Sequence, residues 1–178
     1  METPDESTPI RIRPAVEADA EGIVRVHFEA VHTTAAGFYT HAVIESWSRE
    51  PDERRFARFR SIIAEGRDPV IVADQGGCVV GFGIVASSDG EVRAVYVHPR
   101  VGRRGVGGLI VAELERLATV RGLTSLHLKA SVNAEGFYVR HGYQIVERGA
   151  HRLPDGNEMS CVRMTKSLIA KRIGPSSR

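Results

Sequence analysis

At 178 residues, 42% of them hydrophobic and 26% charged, the chain has the size and balance of one soluble domain with a proper core. Its 24 basic and 22 acidic residues leave a formal charge of +2. That near-neutrality argues against a nucleic-acid partner.

The first residues, METPDESTPI, are acidic and carry prolines, the opposite of a signal peptide. No run approaches the roughly 18 apolar residues of a membrane span, so the reading is a cytoplasmic protein without a membrane partner. Residues 1–9 read as a disordered tail and 169–178 as a second tail, which leaves 10–168 as a single domain. Ile10–Pro14 alternates as a short strand. Ile23, Val26, His27, Ala30 and Val31 then fall at helical spacing, with Glu17 or Asp19 placed to support the helix start. A second helix is expected at about Thr40–Trp47. A third carries the stripe Phe56, Phe59, Ile62 and Ile63 and ends at Gly66.

Val70–Ala73, Val79–Ala86 and Val92–Val97 are β-rich runs separated by the turn signals DQGG and SSDG, an antiparallel meander. The helix from about Gly105 to Arg121 is expected to bury Val106, Leu109, Ile110, Leu114 and Leu117. After Gly122 come a strand at Ser125–Lys129, a short helix at about Ala134–His141, and strands in GYQIVER and MSCVRMTKSL. This order predicts an α/β fold with a mixed, mostly antiparallel sheet of about seven strands. It would contain one parallel βαβ crossover and carry helices on both faces. Cys78 and Cys161 lie too far apart for a metal or redox motif, so both read as reduced thiols and no metal is expected.

The densest stretch is YVHPRVGRRGVGGLIVAELERLA, where Gly102, Gly105, Gly107 and Gly108 crowd the mouth of a helix beside Arg103 and Arg104. A dinucleotide fingerprint fails: counted from Gly105, its third glycine falls on Ile110, and the next strand ends in Lys129 rather than an acid. A P-loop fails because no lysine follows the glycines. A plain tight turn needs only one or two glycines. The favoured reading is a backbone cradle for a phosphate, with free N–H groups at a helix start and arginine charge beside them, and a plain structural turn is the alternative.

The same stretch resembles the acyl-CoA signature of the GCN5-related N-acetyltransferases (GNAT superfamily), with Val97, Pro99, Gly105 and Gly107 at its fixed positions. Gly102 stands where that signature has Gln or Arg, and Arg103 stands one step later, where a small residue is usual. ASVNAEGFYVRHGY is similar to the family's second signature through Ala130, Ser131, Ala134, Phe137, Tyr138, Gly142 and Tyr143. The resemblance extends over nearly the whole chain.

It implies a GNAT fold and an N-acetyltransferase that takes acetyl-CoA as co-substrate. Acetyl would pass directly to a primary amine of a small molecule or peptide, in a monomer or homodimer. The cofactor would lie between Val92–Val97 and Ser125–Lys129, pairing with the main chain of Val95, Tyr96 and Val97, where an N–H stabilises the oxyanion. Its pyrophosphate would sit on Arg103, Arg104, Gly105, Val106, Gly107 and Gly108, with Asn133 and Phe137 as further cofactor-binding candidates. Tyr138 occupies the position of the general acid. Glu91 is the candidate base acting through water, with a plain surface glutamate as the alternative. His98 reads as positional, and His127 and His141 as packed or solvated. The acceptor pocket is expected around His32, Tyr39, His41 and Trp47 and the loop 148–159. The rival reading is a non-catalytic acyl-CoA-binding sensor of the same fold.

Overall fold

The computed structural model of the protein describes residues 8–169, so the tails expected at 1–9 and 169–178 lie, but for their inner ends, outside it. Seven strands form two blocks: β1 (Ile10–Pro14), β2 (Val70–Gln75), β3 (Cys78–Val85) and β4 (Val92–Val97) in sequential order, and β5 (Ser125–Ser131), β7 (Glu158–Ser167) and β6 (Gln144–Arg152) in that order. Pairing within each block is antiparallel. A parallel bridge, Glu91 to His127, joins the blocks, with the His127 N–H donating to the Gly90 carbonyl at 3.1 Å. Beyond that bridge β4 and β5 part. The expected mixed sheet with one parallel crossover is therefore present, but split along the crossover.

Helices cover both faces. α1 (Ala20–Ala30) continues as a wide π-turn over Val31–Ala35, followed by α2 (His41–Trp47) and α3 (Glu53–Glu65). Ile23 and Val26 of α1 and Phe59, Ile62 and Ile63 of α3 pack on Val70, Val72, Phe82 and Ile84. On the other face α4 (Val106–Val120) buries Val106, Ile110, Val111, Leu114 and Ala118 against β2, β3, β5 and β7, with α5 (Glu135–Arg140) beside it. Gly83 sets how close α4 comes: a Cβ there would stand 2.6 Å from Ile110 Cγ2 and 3.0 Å from Leu114 Cδ1. The two glycines of GFG are the seat of the helix that carries the glycine-rich mouth.

Two expectations are corrected. Leu109 was assigned to the buried stripe of α4 but is 50% exposed, because the covered face of the helix runs through Val106, Ile110 and Leu114. The residues read as a loop at 148–159 instead prolong β6 to Arg152, paired with β7 through Arg148–Val162 and His151–Met159. Only the turn between Leu153 and Asn157 is left, closed by the Leu153 N–H to the Asn157 carbonyl at 2.8 Å.

The start of α1 rests on a small ion network. Arg13 reaches Asp19 at 2.7 Å and Asp74 at 2.8 Å, and Asp19 also accepts from the Val16 N–H at 2.8 Å. Burial alone would raise the Asp19 carboxyl, but these donors outweigh it and hold it below the usual carboxylate value. A depressed carboxylate contributes stability that is present above its unfolded pKa of about 4 and is lost as pH falls through the lower folded value. Arg13→Ala is expected to cost about 2 kcal/mol at pH 7, below the figure for a fully buried pair because Arg13 is partly solvated. Urea midpoints followed downward from pH 7 check this: the gap to the parent should be wide at pH 7 and should narrow as pH falls through the lowered Asp19 value.

Candidate active site

The cleft opens where β4 leaves β5. The His98 N–H donates to the Val80 carbonyl at 2.9 Å, so His98 faces β3. Alternation along the strand then turns the main chains of Tyr96 and Ala94 toward β3 as well. The N–H and C=O groups of Val95 and Val97 are left facing the gap. β4 therefore offers an edge with free donors and acceptors, the arrangement into which an extended ligand adds like a strand.

Two cavities meet along that edge. One, of about 560 Å³, is lined by Val31, Thr34, Val97, Arg103, Gly107, Asn133 and Phe137, among others, and leads to the mouth of α4. The other, of about 260 Å³, is lined by Glu91, Arg93, Lys129, Tyr138, His151, Leu153, Met159 and Cys161, with others, and opens on the α2 side. Trp47, Val95, Tyr96, Ser131 and Ala134 belong to both. A long ligand entering by the first cavity and a small one entering by the second would face each other at Val95 and Ser131.

The phosphate-cradle candidates sit at the mouth of the first cavity. Gly105 caps α4 in the left-handed region at φ 80°, with open space where a Cβ would stand. The N–H groups of Val106, Gly107 and Gly108 follow it, at the end of the helix where no intrahelical acceptor exists. Gly107 and Gly108 have a further reason that the sequence did not reveal. A Cβ on Gly107 would meet the Phe137 ring at 3.0 Å, and one on Gly108 would meet His141 Nε2 at 2.8 Å. These glycines let α5 close on α4. Arg104 lies exposed beside them.

The reversal of Gly102 and Arg103 has a clear backbone meaning. Gly102 sits at φ −55° and ψ 149°, where any residue is at ease, whereas Arg103 occupies the left-handed region at φ 62°. Arginine thus holds the strained place and glycine the relaxed one. Asn133 lies deeper, its Nδ2 at 3.5 Å from the Thr34 carbonyl and its Oδ1 buried without a partner among the described residues. An orphaned buried acceptor, a free strand edge and a helix mouth all fit a ligand with amide donors and a diphosphate, as coenzyme A has.

Tyr138 projects from α5 into the second cavity, its ring against Phe137 at 5.0 Å and Tyr143 at 5.4 Å. Burial, with Tyr96 close by, pushes its phenol well above the ordinary tyrosine value. Tyr96, whose main chain faces β3, contributes its side chain instead. Trp47 Nε1 donates to its hydroxyl at 3.2 Å, and burial lifts its pKa to about 12 despite that bond. Behind it, His27 packs edge-on at 4.5 Å and accepts at Nδ1 from Ser48 Oγ at 2.8 Å. Burial, aided by Arg55 and His32, drops the His27 pKa to about 3, so this imidazole is a neutral support.

Glu91 stands at the apex of the split, 3.7 Å from Arg93 Nε. Val95 is four residues further on, roughly 13 Å of strand, so the Glu91 carboxylate stands short of the meeting point. His98 Nδ1 accepts from the Arg100 N–H at 3.2 Å, a turn cap. His141 Nδ1 donates to the Phe137 carbonyl at 2.8 Å. Of the acceptor-side candidates, Trp47 lines both cavities, and the Tyr39 hydroxyl accepts from the Val132 N–H at 2.7 Å while donating to the Ser160 carbonyl at 2.8 Å. His32 Nε2 donates to the Ser48 carbonyl at 2.7 Å, and the largely exposed His41 lies outside both cavities. From the stretch expected at 148–159, His151, Leu153 and Met159 line the second cavity; Arg93, Lys129, Ser131 and Cys161 are not singled out by the sequence, though alternation along β5 marks Lys129 and Ser131, opposite the buried Leu126, Leu128 and Ala130.

A split mixed sheet whose free strand edge runs into a glycine-opened helix defines the acyl-CoA acyltransferase class of α/β fold. The family model described as an acetyltransferase (GNAT) domain matches residues 66–145. A GCN5-related N-acetyltransferase from Rhodopseudomonas palustris superposes with a TM-score of 0.80 at 29% identity, over 90% of this chain and 96% of that one. YafP of Escherichia coli K12, itself an uncharacterised N-acetyltransferase, is 27% identical over 139 residues, 78% of this chain and 84% of YafP. The PaiA N-acetyltransferase of Thermoplasma acidophilum, solved with coenzyme A, shares the fold at a TM-score of 0.71 and 22% identity, covering 89% of this chain and 99% of its own. The fold is that of the GNAT acetyltransferases, and residues 66–145 match their family model.

Proposed function

We propose that the protein transfers the acetyl group of acetyl-CoA to a primary amine by direct attack in a ternary complex. The observation that carries this reading is the free edge of β4 at the point where two cavities, each open to solvent, meet. The main chains of Val95 and Val97 hold the pantetheine arm; Asn133 supports it, and Phe137 lines its path. The N–H groups of Val106, Gly107 and Gly108, with Arg103 and Arg104, hold the pyrophosphate. When bound, the cofactor supplies a thioester whose acetyl group is open to an amine.

The Val95 N–H donates to the thioester oxygen as negative charge develops there. Tyr138 delivers its phenolic proton to the departing sulfur as the carbon–sulfur bond breaks. Glu91 collects the proton of the attacking amine through water along the second cavity. Holding amine and thioester together at Val95 and Ser131 supplies much of the remaining acceleration.

Coenzyme A at a hundred times its dissociation constant is expected to stabilise the protein by about 2.7 kcal/mol, a rise in melting temperature of roughly 5–10 °C for a domain of this size. Thermal melts with and without the cofactor, followed by thiol release with a panel of amines, test both halves. An unchanged melting temperature at millimolar coenzyme A sinks the binding site. Tight binding with no turnover on any amine leaves the acyl-CoA sensor in place of the enzyme.

A further inference from the structure

The second cavity, which Glu91 also lines, carries a cation that no carboxylate among the described residues pairs with. Along β4 and β5, two residues on from the Glu91–His127 bridge, lie Arg93 and Lys129, and on the far side of β5 Lys129 is paired in register with Arg163 of β7. Three cations thus follow one another across three strands. Arg93 is held by Asp68 and Glu91, and Arg163 by Glu147 at 2.9 Å. Lys129, the middle one, has no carboxylate partner among the described residues, and it lines the cavity together with Arg93, Ser131 and Cys161. Like charges directly opposite on a sheet destabilise it. An unpaired lysine between two arginines is a place that an anion would stabilise.

Its position suits the acceptor. Lys129 is two residues from Ser131, about 7 Å of strand from the level where the two cavities meet. A lysine side chain spans that interval, so its ammonium can hold a negative group on a molecule whose amine faces Val95. Trp47, Leu153 and Met159 make an apolar part of the wall, beside His151 and Tyr138, that suits a short side chain.

We infer that the acceptor is an amine that also bears a carboxylate, a free amino acid or a close analogue, with Lys129 as the residue that binds the carboxylate. This rests on the acetyl-transfer reading given above. Lys129 acts through its positive charge alone.

The test compares free amino acids with their carboxamides, which keep the amine and lose the charge. α-, β- and γ-amino acids are included to read the spacing. For the parent, kcat/KM should favour the best amino acid over its amide by at least 10-fold, mostly through KM. In Lys129→Gln that ratio should collapse toward one, and Lys129→Glu should invert it in favour of amides and diamines. Each variant's melting temperature checks its folding. A second measurement, calorimetric binding of the same pairs to the protein saturated with coenzyme A, does not depend on turnover.

Turnover of amides or polyamines as fast as amino acids overturns the inference while acetyl transfer stands. A preference for amino acids that survives Lys129→Gln overturns the assignment to Lys129. Lysine-dependent binding of amino acids without turnover supports the anion site and sinks the transfer reading instead. Absence of both binding and turnover for every amino acid overturns the inference.

Discussion

Tyr138→Phe is expected to lower kcat for acetyl transfer by about 10²-fold or more, the usual scale for losing a positioned general acid. The substitution keeps the ring that packs on Phe137 and Tyr143, so the melting temperature and its rise with coenzyme A should be nearly unchanged. The direction of the pKa shift explains why a tyrosine serves. Burial disfavours the phenolate, and the neighbouring Tyr96 adds to that, so the hydroxyl stays protonated at any working pH and is always a donor. Because its pKa lies above the ordinary value of about 10, an activity loss in the parent between pH 8 and 10 must come from another group. Steady-state kinetics with saturating amine would show the effect in kcat rather than KM, since the proton is needed only as sulfur leaves. A kcat within threefold of the parent would remove Tyr138 from the acid role.

What the sequence disclosed follows the range of its signals. β4 was legible to the residue because VRAVYV stands between a DG turn and a proline, both local. α4 was legible because Gly105 opens it and Gly122 closes it. β6 was read short because all nine of its residues are exposed, so neither face imposes an alternation, and its length is set by pairing with β7. Leu109 fell on the wrong side of its helix for a related reason. Helical spacing gives a stripe but not which edge of it meets a partner, and α4 meets β3 through Gly81 and Gly83.

The cleft divides in the same way. Asn133, Phe137 and Tyr138 share one short signature, and in the structure Asn133 and Phe137 line the first cavity and Tyr138 the second. Lys129, Cys161 and Met159 come together only through the β5–β7 pairing, so no local pattern assembles them. The glycines of the helix mouth are a mixed case. Their crowding was visible and a ligand was a sufficient reason for it, but Gly107 and Gly108 also answer to Phe137 and His141, which are about 30 residues away. For that reason a bulky residue at Gly107 would not be a clean test of ligand binding.

Arg103 gives the cleaner test, because stability and binding should move in different directions there. An L-residue in the left-handed region costs about 1 kcal/mol, so Arg103→Gly relieves strain in the folded state. Glycine also loosens the unfolded chain, by about 0.4–1 kcal/mol, which offsets much of that gain. The free protein should therefore be no less stable than the parent. Arg103→Ala keeps the strained backbone and removes the same charge, so it should be the less stable of the two variants. Both lose a guanidinium that lies exposed at the mouth of the first cavity, with no carboxylate partner among the described residues. A charge-assisted hydrogen bond to a phosphate is worth about 1.5–3 kcal/mol, which is roughly 10- to 150-fold in the dissociation constant. Titration of coenzyme A by calorimetry should show that loss in both variants, and dephospho-coenzyme A would tell whether the diphosphate or the 3′-phosphate is the partner. If Arg103→Gly binds coenzyme A as tightly as the parent, the N–H groups from Val106 to Gly108 hold the phosphates without it. The strain at Arg103 would then need another cause. If affinity falls while stability holds, the reversed order of Gly102 and Arg103 is a binding device: the strained backbone is what aims the guanidinium at the helix mouth.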